Sequence, residues 1–245
     1  YFTHLHERKL KGQPLAPKTI KHKVDILSAI YDAALDFGGC RENPFERVGN
    51  MARRIKAVQK RETWAVPFDD VIAGIEKHQG TEVVRDRALL AVLFGGGVRV
   101  SEAISIRIED IQAIEPNVCM MVNTSKTRKV RPVTLPVWAS RYVARHIRSA
   151  DLSGGWLFPS SFFKGTKHIS RMWASEICHH AFGGRAHTAR YTHVSYLLDQ
   201  GVPVPDIARA VGHERIQTTM GYDKRRKDFK TCASRLADFA CKVRN

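Results

Sequence analysis

The sequence predicts a mainly α-helical fold with a small antiparallel β-sheet, and three observations carry that expectation. Apolar side chains recur at intervals of three and four along residues 18–37, the pattern of one buried helix face. Two runs rich in β-formers, "NVCMMVNT" (117–124) and "VRPVTLP" (130–136), flank a short basic turn. Glycines at 38–39 and 95–97 stop helical runs. A chain of 245 residues makes one large or two smaller domains.

The elements follow in order. In "KTIKHKVDILSAIYDAALDF" (18–37), Ile20, Val24, Leu27, Tyr31 and Leu35 form the apolar stripe, and "ENPF" (42–45) then marks a turn. Residues 51–63 are polar and basic with little periodicity. They read either as a linker lying along a phosphate backbone or as an exposed, solvated segment. A second unit starts near Trp64, with helices at 67–78 and 82–97 and a short helix running into a strand over 98–111. The two β-rich runs make a hairpin with "SKTRK" (125–129) at its tip. Residues 138–149 are helical, 156–160 extended, and further helices are expected at about 170–181, 188–200 and 203–211. The tail 231–245 carries Leu236, Phe239 and Ala240 on one side. No internal repeat or low-complexity tract is visible.

Composition narrows the partners. Lys and Arg number 40 against 24 Asp and Glu, a net charge of +16, which points to a polyanion and first of all to nucleic acid. Anionic membrane ranks second and a merely solvated basic surface third. The longest nearly apolar run, "ALLAVLFGGGV" (88–98), is too short to span a bilayer, which takes about 20 residues. No signal peptide is visible, and the first residue is Tyr rather than Met, as in a fragment or a trimmed chain. Five scattered cysteines without a CxxC pair suggest reduced thiols in a cytosolic protein. His179, His180, His187 and His193 are numerous enough for a metal site, but their spacing gives no helical pair with a third acidic partner, so no metal is expected.

Six polar residues stand in apolar or turn contexts. Arg99 follows a triple glycine in "GGGVRVSEA", and Lys126 sits at the hairpin tip. His187 and Arg190 are three apart in "HTARYTH" and share a helix face. His213 lies in "VGHE", and Tyr222 precedes the basic run 224–227. Three cations, two histidines and a phenol suit a phosphodiester. Its displacement transition state gathers negative charge on the non-bridging oxygens, which planar Arg forks match. Losing one pre-positioned donor of this kind costs roughly 3 kcal/mol. A tyrosine can attack and hold the cut end covalently, and a Lys or His can protonate the leaving hydroxyl. Taken singly, each residue has a bland reading: a helix-cap arginine, a satisfied structural histidine, a core tyrosine.

The segments "GVRVSEA", "SKTRKVRPVTLP", "HTARYTHVSYLL" and "VGHERIQTTMGY" together resemble the tyrosine recombinase (phage integrase) family. That family's order is Arg, hairpin Lys, His-x-x-Arg, Gly-His and a nucleophilic Tyr. The resemblance maps these onto Arg99, Lys126, His187, Arg190, His213 and Tyr222. Lys129 also lies near the hairpin tip, though "SKT" directly after a strand favours Lys126. One departure is Tyr191, where the family often has His.

The resemblance implies a partial helical core-binding DNA-binding domain at 1–50, a linker at 51–63, a mixed α/β catalytic domain at 64–230 and a C-terminal tail at 231–245, which docks on a neighbouring protomer or packs on its own domain. It implies that Tyr222 attacks the scissile phosphate to give a 3′-phosphotyrosine and a free 5′ hydroxyl. Arg99 and Arg190 then grip the non-bridging oxygens, Lys126 protonates the leaving oxygen, His187 acts as base or proton shuttle, and His213 hydrogen-bonds the phosphate. No cofactor, ATP or metal is implied. The implied partners are double-stranded DNA at specific sites, further copies of the chain in a tetramer, and accessory DNA-bending proteins. The implied setting is the cytoplasm of a prokaryotic cell or of the host of a mobile element. A type IB-like topoisomerase or hairpin telomere resolvase would use much the same pocket, and a non-catalytic DNA-binding protein is the remaining alternative.

Overall fold

Helices dominate the computed structural model, which describes residues 9–10, 13–46, 65–124 and 130–222. The chain divides into two units, Tyr1–Glu62 and Thr63–Asn245. The first holds two short antiparallel strands, β1 (Lys9–Leu10) and β2 (Gln13–Pro14), and a long helix, α1 (Pro17–Asp36). Proline opens α1, where its missing N–H costs nothing, and Gly38 at φ 70 follows its end. The predicted stripe is only partly used. Ile20 and Val24 are buried with Leu15 and Phe45 packed on them, while Leu27, Tyr31 and Leu35 are half-buried. The "ENPF" turn folds back onto the helix through Asn43. Its amide donates to the Ser28 carbonyl at 3.1 Å and to Asp32 Oδ1 at 2.6 Å.

The second unit is built around one mostly buried helix. After α2 (Phe68–Lys77) comes α3 (Val83–Gly96), with Leu89, Leu90, Leu93 and Phe94 all buried. Beyond its charged first turn this helix is apolar on every side, so it has no stripe to reveal and packs by contact all round. α3 lies against α5 (Val137–Ser149) and α7 (Ala186–Asp199), and also touches α4 (Val100–Ile104) and α6 (Arg171–Phe182). Close approach is possible because a Cβ on Gly95 would lie 2.7 Å from that of Ala139. The last described elements are α8 (Val204–Val211) and a five-residue helix, α9 (Ile216–Met220).

The predicted hairpin forms. β4 (Cys119–Asn123) pairs antiparallel with β5 (Val130–Thr134) from Asn123↔Val130 to Cys119↔Thr134, and β3 (Ile111–Ala113) adds a third strand beside β4. The extended stretch 156–160 makes only isolated bridges, Arg107↔Trp156 and Pro159↔His168. The linker 51–63, the hairpin tip 125–129 with Lys126 and Lys129, and the tail 231–245 lie outside the described residues. Among the described residues, Cys40, Cys119 and Cys178 are unbridged, and burial pushes the Cys178 thiol up to about 12. No helix among them is long and apolar enough to cross a membrane.

Candidate active site

The end of α3 sets the first arginine. Gly97 takes the left-handed conformation at φ 58, and a Cβ there would run into the His193 ring, so only glycine fits. The chain then leaves α3 in an extended step, and Arg99 becomes the residue before α4. Its side chain is 41% exposed, and it is held from one side by Glu102, which is 1% exposed. Glu102 Oε1 accepts from Arg99 Nη1 at 2.7 Å, and Oε2 accepts the Arg99 backbone N–H at 2.9 Å. Arg99 Nη2 donates to the Gly212 carbonyl at 3.3 Å.

The second arginine is held by backbone carbonyls. Arg190 lies on α7, which like α3 is buried on most sides, and it is 1% exposed. Nη1 donates to the Gly97 carbonyl and Nη2 to the Val211 carbonyl, each at 2.7 Å. Burial, and after it the charge on Arg99, lowers its pKa to about 10, so it stays charged at neutral pH. Arg99 and Arg190 therefore bond to consecutive carbonyls, those of Gly212 and Val211, at one turn.

That turn also delivers His213. Gly212 caps α8 in the left-handed conformation at φ 69, and the His213 N–H closes the turn onto the Ala208 carbonyl at 2.8 Å. His213 Nδ1 lies 2.8 Å from the hydroxyl of buried Thr219. Burial, followed by Arg190 and Arg99, lowers its pKa to about 4. The same causes lower that of His187. Both are neutral at pH 7.

Tyr222 is 9% exposed and packs as a core tyrosine. It belongs to an apolar cluster with Val194, Leu198, Ile207 and Val211. Its ring stacks on His213 at 5.5 Å and meets Tyr191 at 5.1 Å, which gives the departure at residue 191 a physical use. Its hydroxyl lies 3.4 Å from His187 Nε2. Five of the six predicted residues are thus gathered around one turn. The sixth, Lys126, lies outside the described residues.

An open cleft of about 640 Å³ adjoins this turn. Five arginines line it (Arg99, Arg131, Arg171, Arg209, Arg215) against two glutamates (Glu102, Glu214), so it attracts anions. Sequence reasoning missed Glu102, Arg131 and Thr219. Two of these had a signal. Glu102 stands three residues after the residue preceding a helix, the position from which a carboxylate reaches back to a free N–H. Arg131 shares a strand face with buried Val133, and a charge on that face needs a partner. Among the described residues, no group of three or more His, Cys, Asp or Glu could hold a metal ion.

Residues 69–228 match the phage integrase family. Tyrosine recombinase XerC of Anoxybacillus flavithermus is 25% identical over 249 residues, covering 93% of this chain and 76% of that protein. XerD of Pseudomonas aeruginosa is 30% identical over 151 residues, or 57% of this chain and 49% of that one. Among solved structures, the Tn1549 transposon integrase in complex with circular intermediate DNA superimposes with a TM-score of 0.72 at 15% identity, covering 96% of this chain and 83% of that one. The XerA recombinase gives 0.57 at 17% identity, covering 100% and 88%. With this much of its length matched, the chain belongs to the phage integrase family and is a tyrosine recombinase, an enzyme that cleaves and rejoins DNA strands.

Proposed function

We propose that the chain exchanges DNA strands at specific duplex sites through a covalent bond between Tyr222 and a 3′-phosphate. The observation that carries this reading is the meeting of Arg99, Arg190 and His213 at the 211–213 turn, with the Tyr222 hydroxyl beside His187. Arg99 and Arg190 would neutralise the non-bridging oxygens as charge builds on them. Neutral His187 would take the phenol proton as the Tyr222 oxygen bonds to phosphorus and the bond to the 5′ oxygen breaks. Lys126 would protonate that leaving oxygen. Thr219, by donating to His213 Nδ1, would leave Nε2–H as the donor for a phosphate oxygen. One phosphoester replaces another, so the exchange needs neither ATP nor a metal, and attack by a second strand's 5′ hydroxyl reverses it onto a new partner.

The 1–50 region would contact DNA beside the catalytic unit. Four copies would assemble on two duplexes, with accessory DNA-bending proteins where the sites require them, in the cytoplasm of the host. The test uses nicked duplexes, which lose the 5′ hydroxyl needed for resealing and trap the covalent adduct. The adduct is expected to map to the peptide containing Tyr222 and to vanish in Tyr222→Phe. Undiminished adduct in that variant would contradict the assignment. Pairing of two duplexes in one complex would separate a recombinase from a topoisomerase-like enzyme acting on one.

A further inference from the structure

We propose that Arg131, on β5, is a positioning residue for strand cleavage: through Glu102 it sets Arg99 and the His213 turn in a fixed relation to the hairpin. The inference deepens the strand-cleavage reading above and rests on it. Arg131 is 11% exposed at its side chain, and its guanidinium joins three elements. Nη2 donates to Glu102 Oε2 at 2.9 Å, on α4. Nε donates to the Ala210 carbonyl at 3.1 Å, in the last turn of α8. Its own backbone pairs with Val122 across the β4–β5 hairpin.

The fit is close. A Cβ on Gly212 would lie 3.1–3.2 Å from the guanidinium atoms of Arg131, so the turn that bears His213 rests directly on this side chain. Nη1 is buried with no hydrogen-bond partner among the described residues, so the side chain is held by its other two nitrogens. Glu102 is shared between Arg99 and Arg131, one guanidinium on each oxygen. Burial alone would raise the Glu102 pKa. The Arg131 hydrogen bond, the Arg99 backbone N–H, the Arg131 charge and the Arg99 side-chain hydrogen bond outweigh it and hold the pKa below the usual value. Take Arg131 away and the carboxylate keeps only Arg99, which is then drawn toward one strong partner and loses its fixed orientation. The carbonyl of Ala210 loses a donor at the same time. A lysine reaches one of these acceptors but cannot fork to both.

The probe is a nicked duplex selected by covalent capture on the unaltered chain from a random-sequence pool. Single-turnover adduct formation is measured at saturating DNA, together with Kd for the same duplex. Arg131→Met is expected to slow the reaction by about 10²-fold, while Kd changes by less than about threefold, because a positioning defect acts on the transition state. Arg131→Lys is expected to recover only part of the rate. Combining Arg131→Met with Glu102→Gln is expected to cost no more than about threefold beyond the slower single variant, since both changes break one linkage. A rate within threefold of the unaltered chain, or losses that multiply in full, would overturn the proposal. So would a loss of binding in step with rate, which is the pattern of general destabilisation. If Arg131→Met does not fold, Arg131→Lys carries the same rate-against-Kd test. No adduct with the unaltered chain would instead overturn the strand-cleavage reading itself, and with it the reaction that Arg131 is held to serve.

Discussion

The α7 wall of the site and the α3–α4 corner opposite it each present an arginine, but they hold it by different means. On the α7 wall, Arg190 is buried and satisfied by two backbone carbonyls, with no carboxylate among the described residues hydrogen-bonded to it. At the corner, Arg99 is 41% exposed and leans on a buried carboxylate that Arg131 shares. A carbonyl dipole satisfies the hydrogen bonds of a guanidinium without cancelling its charge, whereas a carboxylate does both. The α7 wall therefore keeps an uncancelled cation in place before any anion arrives. The corner keeps an accessible one whose orientation depends on a network. Pre-set charge and adjustable charge are different designs, and they should fail differently.

The largest contrast is expected at the arginines themselves. Arg190→Ala should reduce adduct formation by roughly 10³-fold and also lower Tm, because two buried carbonyls lose charged donors worth about 1.5–3 kcal/mol each. Arg99→Ala should slow the reaction by about 10²–10³-fold with a smaller change in Tm, since its side chain is 41% exposed and buried Glu102 keeps Arg131 as a partner. Equal Tm losses in the two variants, read by thermal melting, would erase the distinction between the walls.

A smaller effect is expected where the walls meet. Gly212→Ala forces a side chain into the left-handed region, at a cost of about 1–2 kcal/mol, and pushes on the Arg131 guanidinium. It should slow adduct formation through His213 and Arg131 together. A wild-type rate would mean that the turn tolerates displacement.

The smallest effect is on acid stability. His187, His193 and His213 all have pKa values lowered in the folded chain, first by burial and then, after a backbone hydrogen bond that opposes it at His193, by Arg190. Below the ordinary histidine pKa the unfolded chain takes up protons that the folded chain refuses. Stability contributed by these groups is therefore complete above about pH 6.5 and is lost as pH falls from there toward 4. Tm should drop by a few degrees between pH 7 and pH 5. Arg190→Lys should not change that window's direction, because burial is the leading cause. A Tm that rises on acidification would contradict the burial of these rings.

This contrast also explains what the sequence disclosed. The α1 stripe, the β4–β5 hairpin and the glycine stops were legible because each is a local pattern with its own period. The six candidate residues were named from their order, and the five that are described lie close together. How each would be held was not. Arg190 reads as a surface cation until α7 is seen to be buried on most sides, and no periodicity marks such a helix. Tyr222 reads as either core or catalytic, and its packing against Tyr191 and its contact with His187 show that a core position and a place beside the other candidate residues are compatible. The five-residue α9 is too short to carry a pattern, and Arg131 serves elements 29 and 79 residues away in sequence, a link that no local window contains.

The central claim is that Arg99 and Arg190 act on the charge of one phosphate. The most direct measurement replaces the scissile phosphate in the trapping duplex with an uncharged methylphosphonate and compares adduct formation by the unaltered chain and by Arg99→Ala. If the arginine serves that charge, the penalty for losing it should shrink by at least about tenfold on the neutral substrate. An Arg99→Ala penalty of the same size on both substrates would mean that the arginine acts elsewhere, and the account would be wrong.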